Sequence, residues 1–245
     1  MSLAGGLVYH QYLIRRHASD CLGIFGFVGN QAAEDGGRQA EENCLRGLRE
    51  LSINGYDSCG LASLDTETKR IVVTKHAQET RYGGDCLQKL ALDSKALHKS
   101  NLGIAHTRWA THGAKTDVNA HPHTDHKGRI ALIHNGIIEN YQLLKENLAV
   151  NHGISPISET DSEILALLIG VFLDQENSIV DSIKKTCLKL IGSYNIALIY
   201  NADPDAIYAI RNSGELSIAK DLAKGHSFLC SDVDVLRDEF NLSSF

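Results

Sequence analysis

Two short stretches of the chain carry side chains that could act together on a carbonyl group. The first reads His106-Thr107-Arg108-Trp109-Ala110-Thr111-His112-Gly113, and the second reads His134-Asn135-Gly136-Ile137-Ile138-Glu139-Asn140. Upstream, Cys21 supplies a thiol, which is a strong nucleophile when it is ionised. A thiol, oriented amide donors and a fixed cation are the parts needed to split an amide bond. The two stretches and Cys21 therefore predict an amide-splitting site.

Each motif also has a purely structural interpretation. Asn135-Gly136 after an apolar run is typical of a hairpin turn. Asp161, in Ser158-Glu159-Thr160-Asp161, has a residue type that often caps a helix, and Trp109 alone is typical of a core. The occurrence of all these motifs in one chain favours the functional interpretation.

Taken in order, the motifs resemble the glutaminase domain of glutamine–fructose-6-phosphate aminotransferases, within the class II, N-terminal-nucleophile glutamine amidotransferases. The resemblance rests on Cys21 before Gly23-Ile24-Phe25-Gly26, on Arg-Trp-Ala-Thr-His-Gly at 108–113, on Asn-Gly-Ile-Ile-Glu-Asn at 135–140 and on Ser-Glu-Thr-Asp at 158–161. It implies one domain over residues 21–245 that hydrolyses glutamine to glutamate and ammonia through a cysteine thioester. Amidophosphoribosyltransferase is the nearest rival, but the strings at 108–113 and 135–140 favour the hexosamine branch.

The resemblance also implies a role for each site residue. Arg108 suits the α-carboxylate of glutamine because its planar fork matches a carboxylate, and Asp161 suits the α-ammonium. In this family the nucleophile is the first residue of the mature chain, and its free α-amino group acts as base through a water. The implied catalytic residues are Cys21, Asn135 and Gly136, and the implied substrate-binding residues are Arg108, Trp109, Thr111, His112, His121 and Asp161.

The beginning of the chain departs from the family pattern. The family begins Cys-Gly-Ile, whereas this chain reads Cys21-Leu22-Gly23-Ile24, and Asn54 replaces an arginine before Gly55. Residues 1–20 form a leader or extension with an apolar stretch before its arginines, the reverse of a secretory signal. We therefore expect little activity unless the chain is cleaved before Cys21. The alternative is a catalytically silent glutamine-binding or interaction module.

Hydrophobic periodicity predicts alternating strands and helices. Strands are predicted at 23–29, 61–64, 71–74, 103–107, 130–134, 195–200, 206–210, 216–219 and 227–229. Helices are predicted at 40–51, 139–150, 161–173 and 178–191, the last one stopped by Gly192. Strands, then helices, then strands favour an α+β fold. The family resemblance implies a four-layer αββα sandwich of the N-terminal-nucleophile hydrolase type.

Composition limits the classes of partner. The 245 residues are 43% hydrophobic and 22% charged, as in globular domains, and the net charge of −6 argues against nucleic acid. The sequence contains no apolar run long enough to span a bilayer, so we expect no membrane insertion. Six cysteines without a CxxC pair favour a reduced, cytoplasmic protein.

The expected partners are small molecules and a second domain. Glutamine is the expected substrate, and a sugar isomerase domain or subunit is the expected ammonia acceptor, since residues 1–245 hold no such region. The sequence does not decide whether the chain forms a homodimer. We expect no cofactor and no metal, because the histidines between 106 and 134 lack the i, i+4 spacing of a zinc motif.

Overall fold

The strands of the chain form two antiparallel sheets. The computed structural model describes residues 23–30, 39–78, 85–94, 99–109, 113–176 and 178–243. The strands are β1 (Gly23–Val28), β2 (Ser58–Leu64), β3 (Ile71–Ala77), β4 (Leu102–Arg108), β5 (His123–Thr124), β6 (Ile130–Ile138), β7 (Gly192–Tyr200), β8 (Asp203–Arg211), β9 (Ser217–Asp221) and β10 (His226–Cys230). One sheet has the order β3-β2-β4-β1-β10-β9 and the other β5-β6-β7-β8.

Helices connect and cover these sheets. They are α1 (Gln39–Leu51), α2 (Cys86–Asp93), α3 (Tyr141–His152), α4 (Asp161–Glu176) and α5 (Ile179–Cys187), with a short 3-10 helix (Ser52–Asn54) and a π-helical turn (Val235–Glu239). Helices α1 and α2 contact the six-stranded sheet, whereas α3, α4 and α5 lie on the side of the four-stranded sheet.

The buried apolar residues fall into three clusters, one for each contact between layers. Phe25 and Phe27 of β1 pack against Leu48 of α1. Ile24 belongs to a second cluster, between the two sheets, because neighbouring residues of a strand point to opposite faces. A third cluster joins the four-stranded sheet to α4, for example through Leu132. Three apolar interfaces require four layers.

This architecture confirms the predicted α+β fold and its αββα layering. The predicted strands and helices are all present, with shifted ends. Helix α2 and strand β5 were not predicted, since both are short. The predicted helix 178–191 is too long: α5 ends at Cys187, and Gly192 begins β7 instead of ending a helix.

The Asn135-Gly136 pair lies within a strand. Strand β6 continues to Ile138, and Asn135 and Gly136 pair with Asn195 and Tyr194 of β7. The hairpin-turn interpretation is therefore wrong, and the strand predicted at 130–134 is too short. Gly136 adopts a φ of 131°, and a Cβ at this position would lie 2.0 Å from the Ser193 carbonyl oxygen. Only glycine fits such a backbone beside β7 without a shift.

Within the described ranges, the structure contains no helix that combines the length and the apolar character needed to cross a membrane.

Candidate active site

The candidate site lies where the layer between the two sheets changes from apolar to polar. On β4, Ile104 faces the other sheet. His106 and Arg108 share that face, because every second residue of a strand does. On β6, Ile133 belongs to the same inter-sheet cluster, and Asn135 follows on the same face. The alternation thus directs His106, Arg108 and Asn135 toward one region.

Arg108 is a buried cation at the end of β4. Arg108 is 3% exposed, and its backbone lies opposite Ser58 in the register of β2 and β4. Burial lowers the pKa of the guanidinium, while the negative charges of Asp161 and Asp57 oppose that shift. Arg108 therefore lies within electrostatic reach of two carboxylates that come from different parts of the chain.

Asn135 is held by a histidine from the opposite sheet. His106 Nε2 lies 2.7 Å from Asn135 Oδ1. Burial is the largest cause of a pKa lowered to about 3 for His106, so its ring is neutral near pH 7. The contact therefore joins a neutral imidazole to a neutral amide across the inter-sheet layer.

Asp161 is the first residue of α4, but the capping contacts come from its neighbours. Thr160 Oγ1 accepts a hydrogen bond from the Glu163 N–H (3.3 Å), and the Glu163 carboxylate accepts from the N–H groups of Ile157 and Ser158. Thr160 therefore acts as the N-cap of α4, while the Glu163 carboxylate holds the two residues before Glu159. The Asp161 carboxylate instead accepts from the Ile138 N–H (2.9 Å). It thereby ties the start of α4 to the end of β6, close to Gly136.

His121 belongs to a buried group of imidazoles, together with His106, His123 and His134. The His121 ring stacks on His106 with a centroid distance of 4.4 Å, and its edge meets His123 at 5.0 Å. Burial is the largest cause of the lowered pKa of each of the four rings. The described neighbours of the His121 ring are thus other histidines, and its place beside the substrate stays a prediction.

The ring nitrogens of this histidine group contact amide and hydroxyl groups. His123 Nε2 lies 3.0 Å from Thr160 Oγ1, and His134 Nδ1 lies 2.9 Å from Ser162 Oγ. Across the part of the chain that the structure describes, no three His, Cys, Asp or Glu side chains are grouped as metal ligands would be.

Trp109 lies at the surface beside the end of β4. Its 48% exposure shows that the core interpretation is wrong. The Lys115 ammonium lies 6.0 Å from the centre of the indole ring, and Lys115 also forms an ion pair with Asp57. Asp57 is in turn among the charges that act on Arg108. Trp109 is therefore positioned at the rim of the site.

Three predicted site residues, Cys21, Thr111 and His112, lie outside the described residues. Strand β1 begins two positions after Cys21, at Gly23, whose N–H donates to Thr107 Oγ1 (3.1 Å). Gly23 is also paired with Thr107 in the sheet. The described part of β1 therefore starts beside the residue that precedes Arg108.

Sequence reasoning missed two features of the site. His106 was not predicted to contact Asn135, although its position two residues before Arg108 indicates a shared strand face. Lys75 was also missed: its ammonium donates to the carbonyls of Val118, Ala120 and Pro122, at 3.1, 2.7 and 3.2 Å. No local pattern indicates these three Lys75 contacts, which hold the backbone on both sides of His121.

Comparison with known families identifies the group to which these motifs belong. Residues 58–212, which include Arg108, Asn135, Gly136 and Asp161, match the family model described as a glutamine amidotransferase domain. The chain belongs to this glutamine amidotransferase family. Cys21 precedes the matched span.

Several curated relatives of this amidotransferase chain share one name. It is 38% identical to a glutamine–fructose-6-phosphate aminotransferase (isomerizing) of Streptococcus mutans, over 89% of the chain and 33% of the relative. It is 40% identical to the Corynebacterium diphtheriae protein of that name, over 86% of this chain and 32% of the relative. It is also 40% identical to the Pyrobaculum aerophilum protein of that name, over 88% of this chain and 33% of the relative. The chain spans about one third of the length of these relatives.

Solved structures show the same fold. The amidotransferase chain superposes on glutamine phosphoribosylpyrophosphate amidotransferase from B. subtilis with a TM-score of 0.68 and 22% identity, over 91% of this chain and 44% of that one. A second structure, described as the allosteric regulatory enzyme of purine biosynthesis, gives a TM-score of 0.67 and 21% identity, again over 91% of this chain and 44% of that one. These likenesses confirm the fold, while the curated relatives support the resemblance to the hexosamine branch.

Proposed function

We propose that this amidotransferase domain hydrolyses the side-chain amide of glutamine to glutamate and ammonia. The observation that carries the proposal is the convergence of Arg108, Asp161 and Asn135 on one edge of the inter-sheet layer. A free amino acid carries a carboxylate and an ammonium, and a site with a buried guanidinium and a nearby carboxylate complements both charges. The family membership supports the same substrate class.

In the proposed mechanism, Arg108 binds the α-carboxylate and Asp161 the α-ammonium. The Cys21 thiolate attacks the amide carbon, and the oxygen develops negative charge opposite the Asn135 side-chain amide and the Gly136 N–H. The C–N bond then breaks, ammonia leaves with the proton taken from the thiol, and a thioester remains. Water hydrolyses the thioester to glutamate and restores Cys21. We further propose that Trp109, Thr111, His112 and His121 line or cover the bound glutamine.

The role of Cys21 depends on processing. We propose that residues 21–245 are the working domain and that cleavage after Asp20 liberates the α-amino group that serves as base. Intact-mass analysis and N-terminal sequencing of the purified chain test the cleavage, and ammonia release from glutamine tests the chemistry. Cleaved chain should release ammonia, and cleaved chain with Cys21→Ser should not. Turnover by the uncleaved chain at the same rate would refute this use of the amine.

A silent glutamine-binding module is the second candidate. It is favoured by the extra residue Leu22 between Cys21 and Gly23, since a one-residue slip along a strand turns a side chain to the opposite face. Calorimetric titration with glutamine separates the candidates. Binding without ammonia release from either the cleaved or the uncleaved chain would support the module and overturn the hydrolase.

We also propose that the ammonia passes to a sugar-isomerase partner. The relatives are about three times as long as the matched segment and are named for amination of fructose 6-phosphate. The proposed compartment is the cytoplasm, in keeping with the free thiols of Cys44, Cys59, Cys86, Cys187 and Cys230.

A further inference from the structure

The contact between His106 and Asn135 has a direction. His106 Nε2 lies 2.7 Å from Asn135 Oδ1, and the direction of this hydrogen bond depends on which ring nitrogen carries the hydrogen. His106 Nδ1 is buried and makes no hydrogen bond of ordinary geometry within the described residues. A proton on Nδ1 would therefore be buried without an acceptor, which is costly. The hydrogen of the neutral ring is therefore assigned to Nε2, which donates it to Asn135 Oδ1.

This tautomer fixes the orientation of the Asn135 amide. With Oδ1 toward His106, the Nδ2 group points away from the ring, because the two atoms diverge from the same carbon. A flipped amide would bring Nδ2–H against Nε2–H, two donors facing each other. The hydrogen bond thus selects the rotamer of Asn135 in which an N–H donor is turned away from His106.

The His106 ring is itself held in place by its neighbours. It is 1% exposed, and His121 stacks on it with an interplanar angle of 27°. His121 Nδ1 in turn accepts a hydrogen bond from the His134 N–H of β6, at 3.4 Å. Rotation of His106 would disturb this stack between β4 and β6. The imidazole is therefore a rigid support.

We propose that His106 is a positioning residue that presents the Asn135 Nδ2 donor to the oxygen of the substrate amide. The inference rests on the proposed function, in which Asn135 stabilises the developing oxyanion. Loss of His106 removes a restraint on the Asn135 amide, and the flipped orientation turns an oxygen toward the developing negative charge. Because the donor is oriented before reaction, the effect falls on the chemical step rather than on glutamine binding.

Kinetics of glutamine hydrolysis test this role in whichever form of the chain, full-length or beginning at Cys21, releases ammonia. His106→Leu should lower kcat by about tenfold or more, with KM changed by less than about twofold. His106→Gln should recover most of the loss, since its amide can donate from nearly the same place. In an Asn135→Ala background, His106→Leu should cause no further loss of kcat.

Several outcomes would overturn the inference. If His106→Leu keeps the wild-type kcat, the positioning role is refuted while the proposed function stands. The same holds if His106→Leu lowers kcat equally in the wild-type and Asn135→Ala backgrounds. Failure of the wild-type chain to release ammonia in either form refutes the proposed function and this role with it.

Nitrogen-15 spectra of the wild-type histidine rings provide a readout that needs neither activity nor a variant that folds. His106 should remain the Nε2–H tautomer between about pH 5 and 8, because burial disfavours its protonation. An Nδ1–H tautomer or an imidazolium in this range would contradict the proposed orientation of Asn135.

Discussion

At the scale of single residues, the site combines a buried charge with oriented neutral donors. Arg108 remains a cation in a buried place because Asp161 and Asp57 act on it, and Asp161 is tied to β6 through the Ile138 N–H. The carboxylates therefore serve the charge balance around Arg108 as well as the proposed contact with an ammonium. Substitutions at these positions should affect ligand binding in a predictable way.

Arg108→Lys should weaken glutamine binding. A lysine keeps the charge but loses the planar fork that bonds a carboxylate at two points. Loss of a charged hydrogen bond is worth about 1.5 to 3 kcal/mol, so the Kd for glutamine should rise roughly 10- to 150-fold. Calorimetric titration measures the change. Arg70→Lys, at an exposed position, is the control, and an unchanged Kd in Arg108→Lys would contradict the assigned role.

Gly136→Ala should destabilise the fold because of its backbone. A Cβ would lie 2.0 Å from the Ser193 oxygen, at a φ of 131° that L residues rarely adopt. We expect a loss of about 3 kcal/mol or more in the free energy of unfolding, measured by urea denaturation. Gly128→Ala is the matched control: its φ is 67°, nothing lies within 4 Å of the added Cβ, and it should cost only about 1 kcal/mol.

At the scale of elements, α4 carries one end of the site and packs against the turn between β5 and β6. Arg129 bonds Asp125 and the Gly170 carbonyl, and both Arg129 and Lys127 bond Asp174 near the end of α4. This network fixes the helix relative to β6. The Thr160 cap and the contacts of Glu163 hold the start of α4, where Asp161 bonds the Ile138 N–H.

Gly170→Ala tests how tightly α4 packs on that turn. In an open helix this change would stabilise the protein by up to about 1 kcal/mol. Here a Cβ would lie 2.6 Å from the Asp125 Cβ and 2.9 Å from its Oδ2. We therefore expect a lower midpoint of thermal unfolding than in the wild type. A higher midpoint would show that α4 and the Asp125 turn separate easily.

At the scale of the whole molecule, the four buried histidines connect both sheets with the start of α4. Burial lowers the pKa of His106, His121, His123 and His134 in the folded chain. The unfolded chain therefore binds more protons than the folded chain below the ordinary histidine pKa of 6.5. The stability gained from these neutral rings is present above that value and is lost as the pH falls.

The free energy of unfolding should consequently fall between about pH 6.5 and 5, with a slope on the order of 1 kcal/mol per pH unit for each affected ring. Urea unfolding at several pH values measures this slope, and His121→Phe should reduce it. The lowered pKa of Asp174, about 2, does not interfere, because that carboxylate loses its contribution only below its ordinary value of 3.8. Equal stability at both ends of the range would contradict buried neutral rings.

The sequence alone determined the family, the α+β class and the residues proposed for glutamine binding, because those signals are local strings and short periodicities. It also indicated that α4 begins at Asp161. It did not determine that Asn135-Gly136 lies inside β6, because an Asn-Gly pair satisfies a turn and a strand pattern equally well without knowledge of β7.

Only the tertiary structure decided which side chains meet. The spacing of His106 and Arg108 indicates one strand face, but the contact of His106 with Asn135 depends on how two sheets pack across an apolar layer. The same holds for Asp161, whose carboxylate bonds β6 while Thr160 and Glu163 provide the cap. Alternation along a strand fixes which face a residue occupies, whereas the burial of apolar surface between layers fixes what that face contacts.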